Sequence, residues 1–308
     1  MNREVMPRVS VGVPTFNCAD TLPRTIESVL GQTFADFELI VSDNASEDST
    51  EELCRRYTVS DRRIRYSRQP TTLSALENFR FVLEQARAPY FMWLAADDYL
   101  LPPMLDRAVE VLDARPEVVC AVPRTELVAA DGTRHAARGT FPLLDDPAQN
   151  LCRFLVDPSD NSRLFGLYRR DVICHLVPSH TYYAADWAMA AATLRYGKHV
   201  ELPEVLLVRE VGDPVKYYRT VDELAGGPLD RVFPLAPFTR AVLGRFAVSR
   251  RPGVLYALLR INVIHHLQYS QYRYPRYGRI ACRVSAGVER LVSGVERLVT
   301  RTGRMLKG

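Results

Sequence analysis

The chain predicts an α/β fold with a mixed, mainly parallel sheet flanked by helices. Three strand-length apolar runs that each stop at polar residues carry that expectation. Arg8 to Val13 (RVSVGV) breaks into Pro14, Thr15, Phe16 and Asn17 before a helical pattern at Thr21 to Leu30. Phe37 to Val41 (FELIV) breaks into Ser42, Asp43, Asn44, Ala45 and Ser46 before a second helical pattern at Asp48 to Tyr57. The stretch from Tyr90 to Pro102, YFMWLAADDYLLP, stops at the adjacent acids Asp97 and Asp98 before a helix starting near Pro102. A continuous apolar run is the pattern of a strand buried on both faces, and the helices between such runs supply the crossovers of a parallel sheet.

Parallel strands joined this way bring their carboxyl ends to one edge, where open α/β sheets bind ligands. Each polar break also has a local reading. Asp43 and Asp48 can shape a turn and cap a helix, and Asp97 and Asp98 can simply precede one. Three such breaks in one chain favour a site.

The middle of the chain continues with strands at Val118 to Val122 and Glu126 to Ala130 joined through Pro123, and Asp131-Gly132 marks a turn. Phe141 to Pro158 lacks periodicity, which suggests a loop or helix bordering a cleft. Leu164 to Tyr168 reads as a strand running into Arg169, Arg170 and Asp171. Asp186 to Tyr196 reads as a helix closed by Gly197, with Asp186 placed to cap it. A last strand, Val205 to Val208, leads into Arg209, Glu210 and Val211.

The segment VSVGVPTFNCADTLPRTIESVLGQTFADFELIVSDNASEDST resembles the opening of family 2 glycosyltransferases of the GT-A fold, and LAADDYLLP stands where that family has its DxD motif. Order, spacing and residue type agree over roughly the first 125 residues, and weaker echoes reach about Arg209. The resemblance implies a nucleotide-sugar site at Pro14, Thr15, Asn17, Asp43, Asn44, Asn78, Ala96 and Asp97, with a Mg²⁺ or Mn²⁺ ion on Asp97 and Asp98. It also implies a general base at Asp186, whose reading as a helix cap stays open beside it. Two positions depart from the family pattern. Ala95 stands where an acid is frequent, and Val211 stands where many members have a histidine ligand, which leaves Glu210 as a substitute. The implied reaction is inverting transfer of a sugar from a nucleotide-sugar donor to a saccharide or polyprenyl-linked acceptor in polysaccharide or glycolipid synthesis. A nucleotidyltransferase and a catalytically silent scaffold of a glycan assembly complex are the alternatives. The first would normally carry a basic, glycine-rich loop after its first strand, which VGVPTFN lacks.

Residues 1–244 are then a catalytic domain, divided into a nucleotide-sugar half (1–125) and an acceptor half (126–244), with 245–308 a basic helical extension. The six cysteines show no CxxC pairing, the start MNREVMPRVSVGV has no secretory apolar region, and no run reaches membrane-spanning length. A cytoplasmic protein is expected. The six histidines show no metal-ligand spacing.

Charge sets the extension apart. Residues 245–308 hold twelve arginines and Lys307 against Glu289 and Glu296, a local excess of +11 within a formal net charge of +4. GVERLVS at Gly287 repeats as GVERLVT at Gly294, and Val284, Val288, Leu291, Val295 and Leu298 share one helical face. Tyrosines alternate with arginines just upstream. Three readings follow: a helix packed on its own domain, a short coiled coil holding a homodimer, or a peripheral anchor on an anionic membrane at the inner face of the cell membrane. The last is preferred. Nucleic acid is not expected as a partner, because the other 244 residues carry −7 and no recognisable nucleic-acid motif.

Overall fold

The computed structural model describes residues 6–156, 158, 160–211, 214–245 and 251–273. The repeat-bearing amphipathic segment from 279 to 307 therefore lies outside the described residues. The chain separates into two compact units, one of Met1–Thr181 with Ala185–Gly212, the other of Tyr182–Ala184 with Asp213–Gly308. The boundary near 212 precedes the division at 244/245 expected from charge. The reason is local: the helices after Gly212 are bonded among themselves.

The first unit opens with β1 (Val9–Thr15), α1 (Leu22–Leu30), β2 (Phe37–Asp43), α2 (Thr50–Ser60), β3 (Ile64–Arg68), α3 (Ala75–Glu84) and β4 (Tyr90–Trp93). Every residue of β1, β2 and β4 is buried, as their largely apolar composition favours, and the buried Ser10 of β1 donates to Glu38 of β2 at 2.7 Å. β1 lies between β2 and β4, parallel to both, and β3 extends the sheet beyond β2. Thr15 pairs in register with Asp43. Gly12 is needed because an added Cβ would stand 2.8 Å from Val82 Cγ2 on the overlying α3.

Then follow β5 (Tyr99–Leu100), α4 (Met104–Ala114), β6 (Val118–Ala129), β7 (Arg134–Ala136), α5 (Pro147–Phe154), β8 (Leu167–Arg169), α6 (Arg170–Ile173), α7 (Ala185–Thr193) and β9 (Lys198–Val211). The sheet order is β3-β2-β1-β4-β8-β6-β9-β5, with β7 on the side of β6. β8 runs antiparallel to both its neighbours, so β4 and β6 point the same way and the sheet is mixed but mainly parallel. The two strands expected around Pro123 are one. Register shifts against β9 at Pro123/Arg124 and Arg124/Thr125 let the ladder pass a residue without an N–H. Phe141 to Pro158 contains α5, capped by the Asp146 carboxylate on the Ala148 amide at 2.9 Å.

The second unit contains α8 (Pro214–Leu224), α9 (Pro228–Val232), α10 (Ala236–Arg245) and α11 (Pro252–Arg273). Tyr269 of α11 donates its hydroxyl proton to Asp222 of α8, and Asn262 of α11 donates to Thr239 of α10 at 2.7 Å. Leu235, Phe238 and Val254 are buried. Among the described residues no helix is long and apolar enough to cross a membrane, and Cys18, Cys54, Cys120, Cys152 and Cys174 are free thiols.

Candidate active site

The carboxyl ends of β1 and β2 form one cross-linked loop pair. Asn44 donates its amide N–H to the Thr15 carbonyl (2.9 Å), Asn17 donates its own to Ser46 Oγ (2.9 Å), and Asn17 Oδ1 accepts from the Glu47 amide (2.8 Å). Asn17 and Ala45 hold φ of 50° and 61°, left-handed conformations that the short loop imposes. Asp43 is wholly buried. Its Oδ1 accepts from the Ser46 amide at 2.8 Å, and its Oδ2 accepts from the Tyr66 hydroxyl and Arg68 Nη1, both at 2.8 Å. Asp43 thus fixes the loop that follows it, and its partners Tyr66 and Arg68 of β3 are residues that sequence reasoning missed.

Asn44 and Asn78 are also committed. Asn44 exchanges two hydrogen bonds with the backbone of Leu73, at 2.9 and 2.7 Å. Asn78, on α3, accepts from the Ser42 hydroxyl at 2.6 Å and donates to the Ser42 carbonyl at 3.1 Å. Both asparagines support the loops around the ends of β1 and β2 from below. Thr15 is the exception, because its buried Oγ1 has no hydrogen-bond partner among the described residues. A buried hydroxyl without a partner in the chain is rare.

The two acids after β4 differ sharply. Asp98 is 1% exposed, and its Oδ2 accepts from Arg209 Nε (3.1 Å) while its Oδ1 accepts from the Glu210 amide (3.0 Å). Burial pushes its carboxyl up to about 7 against the pull of Arg209. Asp97 is half-buried, and its carboxylate has no partner among the described residues. Its carbonyl accepts from Arg24 Nη2 at 2.8 Å, and the same nitrogen pairs with the Glu210 carboxylate. The carbonyl of Ala96 accepts from both Thr21 and Thr25. Arg24 sits 4.6 Å above the Tyr99 ring, a position no sequence signal marks.

Asp186 lies across this edge. Ala184 takes φ 64°, so the helix begins at Ala185 and Asp186 sits in its first turn, not before it as a cap would. Burial raises the Asp186 carboxyl above its ordinary range, opposed by a hydrogen bond from Asn161 Nδ2 to Oδ2 at 2.8 Å, by nearby amides and by Arg209. Arg209 joins the two acid centres. Besides Asp98 it donates to the Asp160 carbonyl (2.8 Å) and Ser162 Oγ (3.1 Å), and it stacks 4.4 Å over Phe165. The 3-10 turn Ser162–Phe165 is anchored by the fully buried Arg163, which donates to the carbonyls of Gly139 and Phe141. Arg163 also faces His199 Nδ1 at 3.3 Å. His199 Nε2 meets Thr193 Oγ1 at 2.7 Å, and that hydroxyl donates to Ala190. His199 is therefore neutral, with its proton on Nε2, and burial holds it so.

Among the described residues no group of three or more His, Cys, Asp or Glu side chains is placed to hold a metal. The unpartnered Asp97 carboxylate still suits a hard divalent cation of the Mg²⁺ or Mn²⁺ kind, which binds through one or two carboxylates, waters and substrate phosphate oxygens. Asp98 is less suited, since both its oxygens already accept hydrogen bonds.

Residues 10–176 match the family model described as Glycosyl transferase family 2. The chain belongs to that family. A glucosyltransferase of Campylobacter jejuni, "GalNAc(5)-diNAcBac-PP-undecaprenol beta-1,3-glucosyltransferase", is 38% identical over 97 residues, 31% of each chain. The alignments to this and other curated relatives span half or less of their length. Among solved structures, S. aureus TarS 1-349 in complex with UDP-GlcNAc superposes with a TM-score of 0.58 at 16% identity, covering 94% of this chain and 92% of that one. The mannosyltransferase PcManGT from Pyrobaculum calidifontis, in complex with GDP-Man and Mn²⁺, gives 0.53 at 16% identity over 96% and 81%. The fold is accordingly the GT-A architecture expected from the opening segment.

Proposed function

We propose that this chain transfers a sugar, with inversion, from a nucleotide-sugar donor to a hydroxyl of a saccharide or lipid-linked saccharide. One observation carries the reading: two carboxylates with free acceptor capacity, Asp97 and Asp186, are held at one sheet edge by a single chain of bonds through Asp98, Arg209, Asp160 and Asn161. In this reading Pro14, Thr15, Asn17 and the loop braced by Asp43 and Asn44 receive the base and ribose. The Thr15 hydroxyl gains its missing partner there. Asn78 and Ala96 hold the floor of that site.

A divalent cation on Asp97, when bound, supplies Lewis-acid stabilisation of a leaving diphosphate. The residues themselves do the rest. Asp97 and the cationic Arg24 beside it flank the position of the phosphates. Asp186, raised by burial, accepts the proton of the attacking hydroxyl, and a base with a pKa nearer neutrality serves that step well. Attack from the side of Asp186, opposite the leaving group, inverts the anomeric centre. The UDP-GlcNAc complex of TarS and the undecaprenol-linked acceptor named for the Campylobacter enzyme support the donor and acceptor classes.

A thermal-shift screen of UDP, GDP, dTDP and CMP sugars with and without Mn²⁺, followed by transfer of radiolabel from whichever sugar stabilises the protein, tests the reading. Absence of both a shift and transfer across the panel would sink it. For the segment from about Arg279 to Lys307 we propose peripheral attachment to an anionic membrane, supported by the arginine excess of the 245–308 extension and by its repeat. Liposome flotation that weakens with salt supports this. A chain that dimerises and ignores lipid would favour the coiled coil instead.

A further inference from the structure

We propose that Asn161 is a positioning residue with two simultaneous tasks: its Nδ2 holds Asp186 in place, and its Oδ1 accepts a hydrogen bond from the hydroxyl next to the one that attacks. The substrate class is therefore an acceptor sugar with neighbouring free hydroxyls. This inference rests on the transferase reading and on Asp186 as base, and goes beyond both.

Three observations support it. Asn161 is 3% exposed, and its Nδ2 lies 2.8 Å from Asp186 Oδ2. Its Oδ1 is buried with no hydrogen-bond partner among the described residues. The amide cannot be turned round to relieve this, because its oxygen would then face a carboxylate. An acceptor-only atom left empty beside the base calls for a donor, and a sugar hydroxyl is one. Third, the residue is fixed. Its backbone holds φ 41° and ψ 34°, its amide donates to the Pro158 carbonyl at 2.9 Å, and its carbonyl accepts from Leu164 at 2.9 Å. Asp160 and Ser162 on either side are bonded to Arg209. The Asp160 carboxylate accepts from the amides of Arg138, Gly139 and Ser162, and the cation that favours ionised Asp186 is Arg209.

Left-handed backbone alone could select asparagine at this position. Asn161→Gly separates the two explanations, because glycine keeps that conformation and removes the amide. The test measures transfer from the donor found in the screen to octyl hexosides and their monodeoxy analogues, over a range of pH. The expected result for Asn161→Gly is a loss of about tenfold in kcat/KM, the scale of one hydrogen bond to a buried group. The loss should shrink with the analogue lacking the neighbouring hydroxyl but not vanish, because the hold of Nδ2 on Asp186 is lost with every acceptor; an equal loss on both acceptors overturns the role of Oδ1. The acidic limb of the profile should move to higher pH, since the N–H that favoured ionised Asp186 is gone. Asn161→Asp, which also tolerates the left-handed backbone, should move the limb the same way through like charge and serves if the glycine variant does not fold. A wild-type limb, with kcat/KM unchanged on all acceptors, overturns the proposal. Asp186→Asn run in parallel sorts the failures. An inactive Asp186→Asn beside an unaffected Asn161→Gly removes only the role of Asn161, whereas an active Asp186→Asn removes the base and this proposal with it.

Discussion

The loops that end β1 and β2 and the segment from Asp160 to Asp186 both surround carboxylates with donors, but to opposite ends. At the first, Asp43 accepts from a backbone amide, a phenol and a guanidinium, and is wholly buried. At the second, Asp186 accepts from one side chain, Asn161, and from nearby backbone amides, has no cation bonded to it among the described residues, and keeps part of its surface open. The acid pair after β4 repeats the contrast within two residues, Asp98 tied on both oxygens and Asp97 on neither. A carboxylate whose lone pairs are filled fixes a loop, and one with lone pairs to spare can meet a substrate.

The largest break in that contrast should come from Asp97→Ala. Transfer should be abolished and metal-dependent donor binding lost, while circular dichroism and melting remain close to those of the parent, because among the described residues the carboxylate makes no hydrogen bond or ion pair to lose. Substantial residual transfer would mean that Asp97 is not at the chemistry. Asp186→Asn should follow, with donor affinity kept and turnover lower by about a hundredfold or more, the low end for a positioned general base. A drop below tenfold, with weaker acceptor binding, would make it a binding residue.

Asp43→Ala should act through structure. It removes the acceptor of the buried Ser46 amide, at a cost of about 1–3 kcal/mol for a buried group so orphaned, and one acceptor each from Tyr66 and Arg68, the latter keeping the Ser46 carbonyl and Glu51. Calorimetry should find weaker nucleotide binding with or without metal, together with a lower melting temperature. Unchanged affinity would detach this loop from the nucleotide.

The smallest effect should be a slope. Asp98 has its carboxyl raised to about 7 in the folded chain. Between the ordinary carboxylate range and that value the folded state binds more protons than the unfolded one, so this group lowers stability as pH rises through the window. Asp98→Asn should flatten the fall in melting temperature between about pH 4 and pH 7. An identical slope in the variant would show that Arg209 wins over burial.

The parts of this molecule legible in the sequence are those encoded locally. β1, β2 and β4 announce themselves as unbroken apolar runs, and their polar ends follow. β3 was harder to see, since IRYSR lies at the sheet margin and is largely half-buried, and β5 is only two residues long. The roles of individual acids were not legible either. Asp97 and Asp98 are equivalent as letters, and only Arg209 and Glu210, far along the chain, distinguish them. Asn161 sits in an aperiodic stretch with nothing to mark it. Which lone pairs are filled is a property of tertiary contacts, and no local pattern records it.

The bond between Asp98 and Arg209 spans 111 positions. Contacts of such separation close late, because a long loop must be ordered before they return anything. A ribosome can therefore deliver β1 to β4, which pair among themselves, before the acid pair acquires its clamp. The sheet edge would exist for that interval with Asp98 buried beside no cation. Assembly of a competent centre then has to await the emergence of β9.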